Sequence, residues 1–189
     1  QNDDLIQYFG CQTPAQIGAL NADNASLLFL PVRSLQNGYA WVTSIQALKK
    51  LASAVPETPI NLEDHALLER SSVLCDEAQV CLLEKENLLL EELCLKRKEG
   101  LGEILDWLSK LFSGHDIVSE LAARMIVVSE QVFQHFSRYA MVPEAYQNPG
   151  SGRLTYLEAL PPGAFLFSRL NLINDVSWDK LEPLFPKYL

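Results

Sequence analysis

Three of the chain's four cysteines fall between residues 75 and 94, in CDEAQVCLLEKENLLLEELC, and they pose the first chemical question. Zinc needs thiolates or imidazoles converging on one point at about 2.3 Å, which sequences supply as close pairs such as C-x2-C. Cys75, Cys81 and Cys94 have no such spacing. If this leucine- and glutamate-rich run is a helix, the three sulfurs point three ways and the outer two lie roughly 28 Å apart. They then neither share a metal nor pair as disulfides within it. The expectation is no metal and no cofactor, with these cysteines serving as small buried apolar side chains.

The remaining chemistry-bearing residues are few. Cys11, in YFGCQTP, precedes a helix start whose dipole would lower a thiol pKa, which makes it the candidate nucleophile of a cysteine-dependent hydrolase or thiol enzyme. No histidine partner is identifiable for it from the sequence. His115-Asp116 reads as an exposed histidine beside a helix cap. His135 sits at the edge of an apolar helix face, and His65 stands among carboxylates as at most a weak pH sensor. The run PGSGR (Pro149 to Arg153) lacks the lysine and hydroxyl residue of a phosphate-binding loop and reads as a turn. Adjacent carboxylates such as Asp76-Glu77 and Glu91-Glu92 diverge by about 100° on a helix, so they read as solvated charges. No catalytic residue is expected, and the chain is expected not to be an enzyme.

The elements that would position these residues read as mainly α, a helical bundle around a long central helix, with a short β-hairpin or edge strands as the α+β alternative. Thr13-Pro14 marks a first short helix. Leu27–Val32 reads as extended, Asn37-Gly38 as a hairpin-type turn, and about 41–55 as helix ended by Pro56. Asn61 caps the central helix, which runs to Lys98 with no glycine or proline. A shorter helix follows in EILDWLSKLF, then a long amphipathic one from Ile117 to about Met141. After Pro143 the chain changes texture: PEAYQNPGSGR reads as loop, and AFLFSRLNLI fits strand and helix spacing equally. Two regions are expected: a bundle domain at 1–142, and a Pro/aromatic C-terminal segment at 143–189 packing on it.

On the central helix the leucines gather on two sides of a charged ridge. Leu82, Leu83, Leu89, Leu90 and Leu93 lie on a broad arc, and Cys81, Leu88 and Leu95 on a second. One arc is expected to face the core. The second, with the acidic ridge Glu77, Glu84 and Glu91, is the expected partner-binding surface, suited to an amphipathic, basic helix of a larger protein.

The charge is uneven. Net charge is −9, and residues 57–92 hold ten acids against Arg70 and Lys85. Such a surface repels phosphate backbones, so nucleic acid is excluded as a partner. Cysteine usage fits a reducing compartment, and no apolar run approaches the ~20 residues that cross a bilayer, so a cytoplasmic location is expected without membrane insertion. In general character the chain resembles the small acidic adaptors and chaperones of bacterial type III and type IV secretion systems. That resemblance implies a non-enzymatic adaptor or chaperone in a hetero-oligomeric complex.

Overall fold

The computed structural model describes residues 2–12, 15–35, 38–63, 68–76, 82–83, 86–147, 150, 152–173 and 179. In chain order the elements begin with α1 (Asn2–Phe9), β1 (Cys11–Gln12), β2 (Ala15–Gln16), β3 (Leu20–Ala22), β4 (Ser26–Ser34), β5 (Gly38–Ser44) and α2 (Ile45–Ala54). They continue with β6 (Ser72–Leu74), β7 (Leu82–Leu83), β8 (Asn87–Leu90), β9 (Leu93–Lys98), α3 (Gly102–Leu111), α4 (Ile117–Arg124), β10 (Met125–Val128) and α5 (Glu130–Tyr139). The last are β11 (Val142–Gln147), β12 (Leu154–Ala159), β13 (Phe165–Phe167) and β14 (Leu170–Leu172). Strands dominate. The expected mainly α bundle is corrected to an α+β fold built on a sheet.

The chain divides into two compact units, residues 1–26 with 167–189, and residues 27–166. In the first, α1 ends at Gly10, whose positive φ of 79° and amide bond to Ile6 O at 2.8 Å close the helix. A Cβ at Gly10 would collide with the carbonyl of Gln16, and one at Gly18 with the carbonyl of Tyr8. The two glycines thus let β1 and β2 fold back as a small antiparallel pair beside the buried Tyr8. In the same unit β3 pairs antiparallel with β14, Leu20 opposite Leu172. The helix expected at Thr13-Pro14 does not form: β2 occupies 15–16, and Thr13 and Pro14 themselves lie outside the described residues.

The larger unit is organised by one sheet. Leu30 to Ser34 on β4 pair antiparallel with Gly38 to Val42 on β5 in a hairpin, and Leu28, Phe29, Leu30 and Val32 of β4 are buried. Gly38 has φ +75°, while Asn37 lies outside the described residues. The following helix starts at Ile45, because Tyr39 to Ser44 is a β-branched and aromatic run buried in the sheet. From β5 the sheet continues through β10 (parallel), β6 (antiparallel), β9 (parallel) and β8 (antiparallel). Then β8 meets β4 at Ser34↔Leu90, and Glu91 N donates to Arg33 O at 3.2 Å. Six strands thereby close on themselves, with β13 added to β4 and β7 to β8.

Two helix expectations fail here for one physical reason. The expected central helix over 61–98 is instead β6 to β9, and the expected 117–141 helix is α4, β10 and α5. In both, short apolar stretches find strand partners that bury them more completely than one helix stripe would. Met125, Ile126, Val127 and Val128 are all buried, as a strand covered on both faces requires. Serine caps restart the helices on either side. Ser44 Oγ accepts from Ala47 N at 3.2 Å, and Ser129 Oγ accepts from Val132 N at 3.5 Å. The core that results joins Leu30, Val42, Val73, Leu90 and Ile126 from the strands with Phe136 from α5. The expected short helix after Gly102 is present as α3, where Trp107 Nε1 donates to Thr58 O at 2.7 Å. The Asn61 side chain accepts from Glu63 N at 3.0 Å, and residues 64–67, where the helix it was expected to cap would begin, lie outside the described residues.

Candidate functional site

The cysteines resolve first. Cys75 is buried, and burial pushes its thiol up to about 11 despite Arg97 nearby, so it stays protonated and inert at neutral pH. Cys94 is exposed on β9, Cys11 is half-buried, and Cys81 lies outside the described residues. Among the described residues no group of three or more His, Cys, Asp or Glu side chains could hold a metal ion. His115 is exposed ahead of α4, and Asp116 makes no side-chain cap there. His65, Pro149 and Ser151 lie outside the described residues.

The expected partner-binding surface comes apart in the structure. Leu88 and Leu95 stand directly opposite each other across β8 and β9, 2% and 3% exposed, inside the core. They are therefore covered by the protein's own interior. Glu91 is exposed in the tight turn between these strands, with φ +47°. Cys81, Glu77 and Glu84 lie outside the described residues.

What the structure does present is a ribbon whose first strand runs into the expected loop PEAYQNPGSGR. β11 and β12 pair antiparallel over six residue pairs, from Val142↔Ala159 to Gln147↔Leu154. Since side chains alternate across a strand, Tyr146, Thr155 and Leu157 share one face, and Ala145, Tyr156 and Leu154 the other. From Pro143 to Gln147 and from Leu154 to Glu158 every residue is exposed. Tyr146 is 52% and Tyr156 70% exposed. A two-stranded ribbon with no packed face is marginal in water and gains by contact with something else. Phenol rings held this way are stacking platforms for planar groups.

The ribbon leaves directly from α5, whose outer face carries a second set of side chains. Gln131, Gln134, His135, Arg138 and Tyr139 recur at helical spacing and, with Arg70, line a groove of about 440 Å3. His135 Nε2 lies 2.9 Å from Glu92 Oε1, and that hydrogen bond holds the Glu92 carboxyl below its usual range. The His135 ring also lies 4.8 Å from that of Tyr139, and Gln134 donates to Glu130 Oε1 at 3.1 Å. The expectation of His135 as a boundary residue of α5 thus holds in position, with a defined carboxylate partner.

No family model matches this sequence, and no curated protein does. Solved structures share its fold. A crystal structure of Cmr4 superposes with a TM-score of 0.70 at 17% identity, over 97% of this chain and 66% of that one. Oligomeric Cmr4 from Pyrococcus furiosus gives 0.71 at 18% identity, over 96% and 66%. A chain of the type III-B Cmr-beta cryo-EM structure in the apo state gives 0.57 at 12%, over 96% and 66%. The chain thus spans 66% of the length of these relatives in fold.

This likeness corrects the resemblance to secretion-system adaptors and chaperones, which rested on composition alone; the fold is that of Cmr4. The adaptor function and its thiol-enzyme alternative fall with it. So does the exclusion of nucleic acid as a partner. That exclusion extended the charge of the acidic segment 57–92 to the whole surface, whereas the ribbon and α5 groove carry tyrosine, arginine and amides. Among the described residues no helix is long and apolar enough to cross a membrane.

Proposed function

We propose that this chain is an RNA-binding subunit of a CRISPR-associated assembly of the Cmr4 type. The observation that carries the reading is the Cmr4 fold, shared over 97% of the chain. The exposed tyrosine ribbon supports it, because base stacking is how proteins hold single strands without reading a duplex. The charge balance argues in the same direction. At −9 the chain cannot hold a duplex by general phosphate neutralisation, so contact has to come from short-range stacking and local hydrogen bonding, which single strands permit. In this reading the chain supplies contact rather than catalysis, needs no cofactor of its own, and works in the cytoplasm beside other subunits.

Fluorescence anisotropy with a labelled, unstructured single-stranded RNA tests this. Binding should saturate at low salt, weaken as salt rises, and be weaker for the same sequence annealed into a duplex. RNA recovered after incubation with magnesium should be intact. Absence of binding at low salt would sink the proposal, and tighter binding of the duplex would remove its stacking basis.

A further inference from the structure

The groove on the outer face of α5 is lined by two arginines. In a chain with 24 acids and 15 lysines and arginines, a cation readily finds a carboxylate. Lys49 faces Glu63 at 2.8 Å, Lys98 faces Glu69 at 3.5 Å, and Lys96 lies 4.0 Å from Glu86. Arg97 donates to the Cys75 carbonyl, and Arg124 lies over the Tyr39 ring at 4.4 Å. Among the described residues the side chains of Arg70 and Arg138, like those of Arg33, Lys50, Lys110 and Arg169, have no hydrogen-bond or ion-pair partner, but Arg70 and Arg138 line one and the same groove. Another open groove, of about 610 Å3, holds Arg33, but Glu91 and Glu92 line it too. Among the described residues the α5 groove has no carboxylate in its lining, and its histidine already occupies the nearby Glu92.

We propose that this groove seats one backbone phosphate of the bound RNA, between the guanidinium groups of Arg70 and Arg138, with Tyr139 as the stacking platform for an adjoining base. The assignment rests on the RNA-binding reading above. A guanidinium presents planar paired donors that match phosphate oxygens. Tyr139 is 70% exposed, next to Arg138 in sequence and steadied by the His135 ring. Gln131 offers an amide for a base edge or a 2′-hydroxyl. From Gln131 to Arg138 the stripe runs about 10 Å along the helix, room for one phosphate and its neighbouring base rather than a long tract.

Both arginines are exposed, so Arg70→Gln/Arg138→Gln should fold and melt like the parent, which circular dichroism checks. With the same labelled single-stranded RNA, the double variant should bind at least about tenfold more weakly. Its salt dependence should flatten by about 0.7 in log–log slope, the counterion release of one single-strand phosphate contact. Arg70→Lys/Arg138→Lys, which keeps the charge, should recover most of that slope. If the parent binds RNA and the glutamine variant binds equally well with an unchanged slope, the groove assignment is wrong and the RNA reading stands. Equal loss in the lysine and glutamine variants with no change in slope would also overturn it. If the parent binds no RNA, the RNA reading fails, and the groove assignment fails with it.

Discussion

Leu88→Ala lowers the unfolding free energy by about 2–5 kcal/mol, the cost of removing a buried leucine and leaving a cavity behind. Leu88 lies in the interior opposite Leu95, in a core shared by Leu90, Val73, Ile126 and Phe136. Its strand β8 also closes the ring of strands through the single bridge from Leu90 to Ser34, so a void there loosens the seam as well as the core. The melting temperature should fall by roughly 5–15 °C for a unit of this size. Cys94→Ala is the matched control. Cys94 sits on β9 between Leu93 and Leu95 but is exposed, so its replacement should stay within about 0.5 kcal/mol. Thermal and denaturant unfolding by circular dichroism measure both. An unchanged melt for Leu88→Ala would place this side chain on an outer surface and contradict the core described here.

Replacing both ribbon tyrosines, Tyr146→Ala/Tyr156→Ala, weakens single-stranded RNA binding by about 1–3 kcal/mol for each base that stacks. Stability should hold within about 0.5 kcal/mol, because neither ring is packed against the core. The two rings point to opposite faces of the ribbon, so single variants separate them. Equal single effects mean that both faces meet RNA, and an effect from one alone identifies the working face. Tyr→Phe at both positions keeps the stacking surface and should retain most of the affinity. Full affinity in the alanine variant would remove the ribbon from the interface.

How much of this was legible depended on whether a local pattern had one interpretation. The Asn37-Gly38 signal between LLFLPV and YAWV lies at the β4–β5 hairpin, but helical spacing from Trp41 gave a helix over 41–55 where strand runs to Ser44; the run after Gly102 correctly announced α3. Residues 87–98 misled because Leu, Glu and Lys are strong helix formers. Yet NLLL and LCLKRK also alternate: Leu88, Leu90 and Leu95 turn in, while Cys94, Lys96 and Lys98 turn out. Strand pairing, a tertiary effect, decided between the two. Of the residues in 117–141 that helical spacing puts on one apolar side, Leu121, Met125, Val128, Val132, Phe133 and Phe136 are buried, whereas Ala122 and Tyr139 are exposed. A helix stripe and a doubly covered strand give the same apolar run, so their identity did not fix the element.

The candidate site was less legible than the fold. A strand exposed on both faces shows no hydrophobic alternation, so the first strand of the tyrosine ribbon looked like a loop running to PGSGR. The α5 groove draws on Arg70, distant in sequence and on the acidic segment, and only the folded chain brings it beside Arg138. Its sequence signal was split: Gln131, Gln134 and Arg138 read as the polar side of an amphipathic helix, His135 as its edge, and Tyr139 as part of the apolar side.

The central claim, that this fold holds RNA through its ribbon, is tested most directly by photocrosslinking. Single-stranded RNA carrying 4-thiouridine is irradiated with the chain, and mass spectrometry maps the modified peptides. The account predicts adducts within residues 142–159, at Tyr146 or Tyr156. Failure to crosslink under binding conditions, or adducts confined to the acidic stretch 57–92, would contradict it.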